Sequence, residues 1–160
     1  MNTLKIEIPE GFEIENFDKQ TGTVSLKPKL KPLIERIKTF EDVCEEMGKD
    51  VNDYRINIID PIEDRAIVAM RKLWLIYELF QDGVELDPHD TNQKKWYPWF
   101  DLKVSAANPS GFRFIDSDYT YTASRSVIGP LLWLPDEKTA NYVGKTFEAE
   151  FKAIVLISNI

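Results

Sequence analysis

A chain of 160 residues, 43% hydrophobic and 29% charged, is long enough for one domain with a buried core and has the charge density of an ordinary soluble protein. Its net charge of −7 argues against direct nucleic-acid binding, which needs a basic face to release counterions from phosphates; the one basic cluster, Lys27, Lys29 and Lys31, is too thin to supply it. The single cysteine, Cys44, precludes an intrachain disulfide and fits a reducing compartment, while the lack of a signal-peptide pattern and of any apolar run longer than residues 127–134 predicts a soluble, non-secreted chain with no membrane partner.

Leu4, Ile6 and Ile8 alternate with Lys5 and Glu7, the period of a half-buried strand, and Pro9-Glu10-Gly11 ends it. Phe12 with Ile14, then Val24 with Leu26, predict two further short strands, with Thr21-Gly22-Thr23 as the reversal. Lys27 to Pro32 is a proline-punctuated connector. Thr39 then caps a short acidic helix in which Phe40, Val43, Cys44 and Met47 fall at i, i+3, i+4 and i+7. Gly48 supplies its stop. Cys44 lies on that apolar face, which predicts a buried, inert thiol rather than a nucleophile.

Asp60-Pro61-Ile62-Glu63 carries a capping carboxylate, a proline at N1 and a glutamate at N3, so a helix is predicted over residues 61–82. Ala66, Met70, Leu73, Trp74, Tyr77 and Phe80 form its expected core stripe, and Gly83 closes it. A polar loop follows, then a strand from Tyr97 to Val104. Asn108-Pro109-Ser110-Gly111 is a turn. Phe112, Phe114 and Tyr119-Thr120-Tyr121-Thr122 have strand spacing and propensity. Residues 127–134 are a third strand candidate, apolar on both faces, and Pro130 confines it to an edge or bulge, where a second copy of the chain could add. Asp136 opens a terminal helix over 136–157, with Ala140, Val143, Phe147, Phe151 and Ile154 at helical spacing. Gly144 inside it costs roughly 1 kcal/mol relative to alanine, which predicts close packing against another element. Strands, helices, strands and a helix in that order predict a single α+β domain, with an antiparallel meander over about 96–134 and the terminal helix packed on the sheet.

Several of these stretches resemble one family. The opening Leu4-Lys5-Ile6-Glu7-Ile8-Pro9-Glu10-Gly11-Phe12-Glu13-Ile14, the helix start Thr39-Phe40-Glu41-Asp42-Val43-Cys44, the block Lys95-Trp96-Tyr97-Pro98-Trp99-Phe100-Asp101 and the tail Tyr142-Val143-Gly144-Lys145-Thr146-Phe147 are similar to small proteins encoded by phages and prophages of Bacteroides-group gut bacteria. Pro130 stands where that family usually has a basic residue. The family has no assigned activity. The resemblance therefore implies a setting, the cytoplasm of a bacterial host or the virion, and no catalytic or binding residues.

The residues themselves offer three readings. Trp96, Tyr97 and Trp99, with Tyr119 and Tyr121, make an aromatic surface of the kind that anchors protein partners, and tryptophan and tyrosine also stack on sugar rings. Asp116 and Asp118 form Asp-x-Asp, with Asp101 nearby; such carboxylates could divide acid and base roles in a small hydrolase, and the same text reads as an ordinary turn. Asp87, His89 and Asp90 could present ligands to a divalent metal, but they lack the helix-spaced pair that marks such sites. No nucleophile elbow, Walker loop or dinucleotide pattern exists. The expectation is a non-enzymatic module without a cofactor, acting by binding a protein partner.

Overall fold

Two antiparallel β-hairpins and five α-helices make up the computed structural model, which describes residues 5–55, 61–106, 108–121 and 132–156, excepting the side chains of 61–63. The fold class is α+β. The chain divides into two compact units, Met1–Pro32 and Leu33–Ile160.

In the first unit, β1 (Phe12–Asp18) pairs with β2 (Thr23–Pro28). The reversal is built by Asp18, whose carboxylate accepts hydrogen bonds from the Gln20 N–H at 2.8 Å and the Thr21 hydroxyl at 2.6 Å, and by Gly22 at a φ of 71°, where glycine carries no steric penalty. The register slips between Ile14 and Asn16. That bulge changes the phase of β1, so Phe17 opposes Val24 just as Ile14 opposes Leu26, and all four side chains share one face. Glu13 and Lys27 pair at 3.3 Å on the other face. The strand expected at 4–8 does not form over its described residues. Alternation marks one apolar side of a segment but supplies no neighbour for its backbone N–H and C=O groups.

The second unit begins with α1 (Leu33–Arg36), a single turn absent from the sequence expectation. In α2 (Phe40–Glu46) the Thr39 hydroxyl accepts from the Asp42 N–H and the Asp42 carboxylate accepts from the Thr39 N–H, a reciprocal capping box. Phe40, Val43 and Cys44 are buried as their spacing predicts, and Gly48 follows at a φ of 61°. A 3-10 turn at Val51–Tyr54, capped by Asp50, precedes the long helix α3 (Pro61–Gln81). The expected capping residue Asp60 lies outside the described residues.

The buried arc of α3 is rotated from the expected stripe. Leu73, Ile76, Tyr77 and Phe80 lie in the core, with Val68, Ala69, Leu75 and Leu79 beside them, whereas Met70 and Trp74 are exposed. The helix is covered by α2 on one side and α5 on another, which widens the apolar arc toward positions 68, 75 and 79. The edge through Met70 and Trp74 is left to solvent.

β3 (Lys95–Asp101) pairs with β4 (Arg113–Thr120). The strand expected over 97–104 thus starts two residues earlier and ends at Asp101. The side chain of Asn108, buried to 2% exposure, explains the end: its amide donates to the carbonyls of Asp101 and Lys103, each at 3.1 Å, and its oxygen accepts from the Phe112 N–H at 3.1 Å. The side-chain amide thus takes up backbone carbonyls at and just past the end of the ladder, and Leu102 and Val104 are exposed. Most of the third strand candidate, residues 127–131 of 127–134, lies outside the described residues. Its end, Leu134, exchanges two backbone hydrogen bonds with Trp96, at 3.0 and 2.9 Å. Trp96 also opposes Tyr119 of β4, so Leu134 occupies the far edge of β3. The chain returns to β3 instead of continuing past β4 as a sequential meander would.

The terminal helix is two helices, α4 (Glu137–Thr146) and α5 (Glu148–Val155), hinged at Phe147 with φ −111° and ψ 30°. Asp136 caps α4 by accepting from the Thr139 N–H at 2.9 Å. Ala140, Val143, Phe147 and Phe151 are buried as expected. α4 lies on β3 and β4, and α5 lies on α3. Gly144 is the point of closest approach: a Cβ there would sit 2.5 Å from the Cβ of Pro98 and 2.6 Å from the ring of Phe114.

Candidate functional site

The aromatic block is divided between the two sides of the β3–β4 hairpin. Side chains alternate along a strand, so Trp96, Pro98 and then Phe100 belong to the side packed by α4, while Tyr97 and Trp99 belong to the open side. The alternation survives because the register shifts between Trp99 and Phe100: Trp99 opposes Asp116, and Phe100 opposes Phe114. The extra residue is Ile115. Without it, Phe114 would share a face with Asp116 and Asp118; with it, Phe114 turns to the core against Phe100, ring centroids 6.0 Å apart, and the two carboxylates stay outside. The Phe114 N–H donates to the Glu148 carboxylate at 2.8 Å, which ties this irregular point of β4 to α5.

The open side therefore presents Tyr97 and Trp99, ring centroids 6.3 Å apart, directly across the ladder from Asp118 and Asp116. Trp99 is 51% exposed. Burial, and after it the Asp118 carboxylate, raises the Tyr97 phenol above its ordinary range. Asp116 and Asp118 accept from the N–H groups of Ser117 and Tyr119, at 2.9 and 2.7 Å, and among the described residues neither carries an ion pair with lysine or arginine.

On the other side, Trp96 meets Tyr119 at a tilt of 50°, ring centroids 4.8 Å apart, and Tyr121 meets Tyr119 edge-on at 5.3 Å. The ammonium of Lys94 lies 4.2 Å from the Tyr119 centroid and 5.6 Å from that of Trp96. The five aromatic residues singled out in the sequence thus form two groups, and Trp96 and Trp99 do not make one platform.

Among the described residues, Asp101 is the one of the three carboxylates held by a cation. It sits at the end of β3, 3.6 Å from the guanidinium of Arg113. Asp116 and Asp118 stand on an exposed strand face, and neither lines the cleft formed by α3 and α5 or the smaller hollow beside α2. Asp87 and Asp90 are engaged in local turns, accepting from the N–H groups of His89 and Asn92 at 2.8 Å each. Among the described residues no group of three or more His, Cys, Asp or Glu side chains is disposed to hold a metal ion. Burial pushes the Cys44 thiol above its ordinary range, away from the thiolate that nucleophilic chemistry requires.

Two features carried no clear sequence signal. Lys95, within the aromatic block, is fully buried. Its ammonium donates to the carbonyls of Asp90, Gln93 and Tyr121 at 2.5, 3.0 and 3.3 Å, so its three donors fasten the preceding loop to the end of β4. The second is the cleft between α3 and α5, where Ala149 and Ala153 lie one helical turn apart among cations; the small-residue spacing beside Lys152 was its only trace in the sequence. No helix of the described residues is long and apolar enough to cross a membrane. Comparison with known protein families, curated proteins and solved structures finds no match.

Proposed function

We propose that this chain is a non-enzymatic protein-binding module and that its contact surface is the open side of the β3–β4 hairpin. One observation carries the reading: Trp99 and Tyr97 stand exposed or half-exposed beside the carboxylates of Asp116 and Asp118. Covering the exposed half of a tryptophan removes about 100 Å² of apolar surface, worth roughly 2.5 kcal/mol, the scale of an interface hot spot. An arginine or lysine of the partner can lie on the rings while pairing with the carboxylates. A basic partner surface also complements the net charge of −7. The resemblance to phage and prophage proteins implies that the partner is a host factor met in the bacterial cytoplasm or a virion protein.

The test is capture from host lysate and from purified virions with wild type and with Trp99→Ala. The expected result is a stoichiometric basic partner whose affinity falls about 60-fold in the variant, the equivalent of the 2.5 kcal/mol above, and falls again for Asp116→Asn with Asp118→Asn. A partner held equally well by all three proteins, or no stoichiometric partner from either source, defeats the proposal.

A further inference from the structure

α3 and α5 pack side by side, yet between them a cleft of about 600 Å³ remains, within the range of small-molecule sites. The space exists because the facing positions are small: Val68 and Ala69 on α3, Ala149 and Ala153 on α5. These side chains offer only methyl groups, so apart from the Tyr54 hydroxyl the uncharged part of the lining has no side-chain donor or acceptor with which to read a base or a sugar.

The rim has the opposite character. Arg65 and Lys72 of α3, Lys152 of α5 and Arg55 after the 3-10 turn all line the cleft, and Glu150 is the one carboxylate in the lining. The chain as a whole has 27 acidic residues against 20 basic ones, so four cations to one anion is a local inversion of its charge. Glu150 is paired with Lys72 at 3.9 Å, and that ammonium also lies 4.9 Å from the Phe40 ring. Among the described residues Arg55, Arg65 and Lys152 make no ion pair. Three cations that make no ion pair among the described residues line one groove, and an anion placed among them gains from all three. Guanidinium groups suit carboxylate and phosphate, to which they bind through two parallel hydrogen bonds.

From this combination we infer that the α3–α5 cleft binds a small amphiphilic anion, a carboxylate or phosphate carried on an aliphatic or aromatic body. The site is independent of the hairpin surface. The headgroup sits at the rim with Arg55, Arg65 and Lys152, and the apolar body lies on the Val68 and alanine floor.

The full chain is titrated with n-decyl phosphate and with decanoate, below their aggregation concentrations, by calorimetry and by amide chemical-shift mapping; decanol and inorganic phosphate are the controls. Saturable one-to-one binding of either amphiphile, with shifts centred on α3 and α5, is expected, and each control should bind at least tenfold more weakly. Two variants report separately: Arg65→Glu reverses a rim charge, and Ala149→Phe fills the groove from an exposed position. Each should retain the wild-type circular dichroism spectrum and weaken binding at least tenfold. Absence of saturable binding by both amphiphiles, equal binding of decanol, or affinity unchanged in both variants would overturn the inference.

Discussion

Replacing Gly144 by alanine tests the central packing relation of the second unit. At an unconstrained interior position of a helix this substitution stabilises by about 1 kcal/mol, because alanine loses less backbone entropy. Here the added Cβ would lie 2.5 Å from Pro98 and 2.6 Å from Phe114, where ordinary contact begins at 3.4 Å, so the surfaces must part by about 0.9 Å. Neither neighbour can yield cheaply. Pro98 is a ring fixed within β3, and Phe114 is wedged against Phe100 behind a bulge. Overpacking of this kind costs about 1–3 kcal/mol. With contacts at 2.5, 2.6 and 2.7 Å the cost falls in the upper part of that range, about 2–3 kcal/mol, so the propensity gain of about 1 kcal/mol leaves a net loss of about 1–2 kcal/mol, with Gly144→Val losing more. Urea unfolding followed by far-ultraviolet circular dichroism measures the difference directly. A Gly144→Ala protein as stable as wild type, or more stable, would refute the argument that α4 is seated on the hairpin through this glycine.

Four other changes have outcomes set by particular atoms. Tyr77 is fully buried and its hydroxyl has no hydrogen-bond partner among the described residues, so Tyr77→Phe should raise stability by about 1 kcal/mol in the same urea assay, since it removes a desolvated polar group. Lys95→Met strands three carbonyls that the ammonium now satisfies and should cost about 3 kcal/mol, with faster amide exchange near Tyr121. Thr39→Ala removes the α2 cap and should cost about 1 kcal/mol. Burial raises the Glu150 carboxyl above the usual carboxylate range, against the weaker opposing pull of its own N–H and of Lys72. Because folding then favours the protonated form, its contribution is present below the unfolded carboxyl range and is lost as pH rises through the folded one. Glu150→Gln should therefore be more stable than wild type at neutral pH, and the gap should close as pH is lowered through that range; a gap that widens on acidification contradicts this sign.

Local chemistry settled much of this chain in advance. Thr39 with Asp42 and Asp136 with Thr139 start their helices through contacts three residues apart, Gly22 permits the first hairpin, and the 3.6-residue spacing of Phe40, Val43, Cys44, Ala140, Val143, Phe147 and Phe151 marks sides that must be buried. Each is a short-range constraint that a sequence displays directly. What tertiary structure decided is which neighbour covers each side. The rotated core arc of α3 depends on α5 arriving from the far end of the chain. The end of β3 depends on one buried asparagine, Asn108. The partition of Trp96 from Trp99, and of Phe114 from Asp116, depends on a single extra residue in β4, because one residue of slip exchanges the two sides of a strand. The cationic cleft brings together positions nearly one hundred residues apart, from Arg55 to Lys152, and no local pattern records a meeting over that distance.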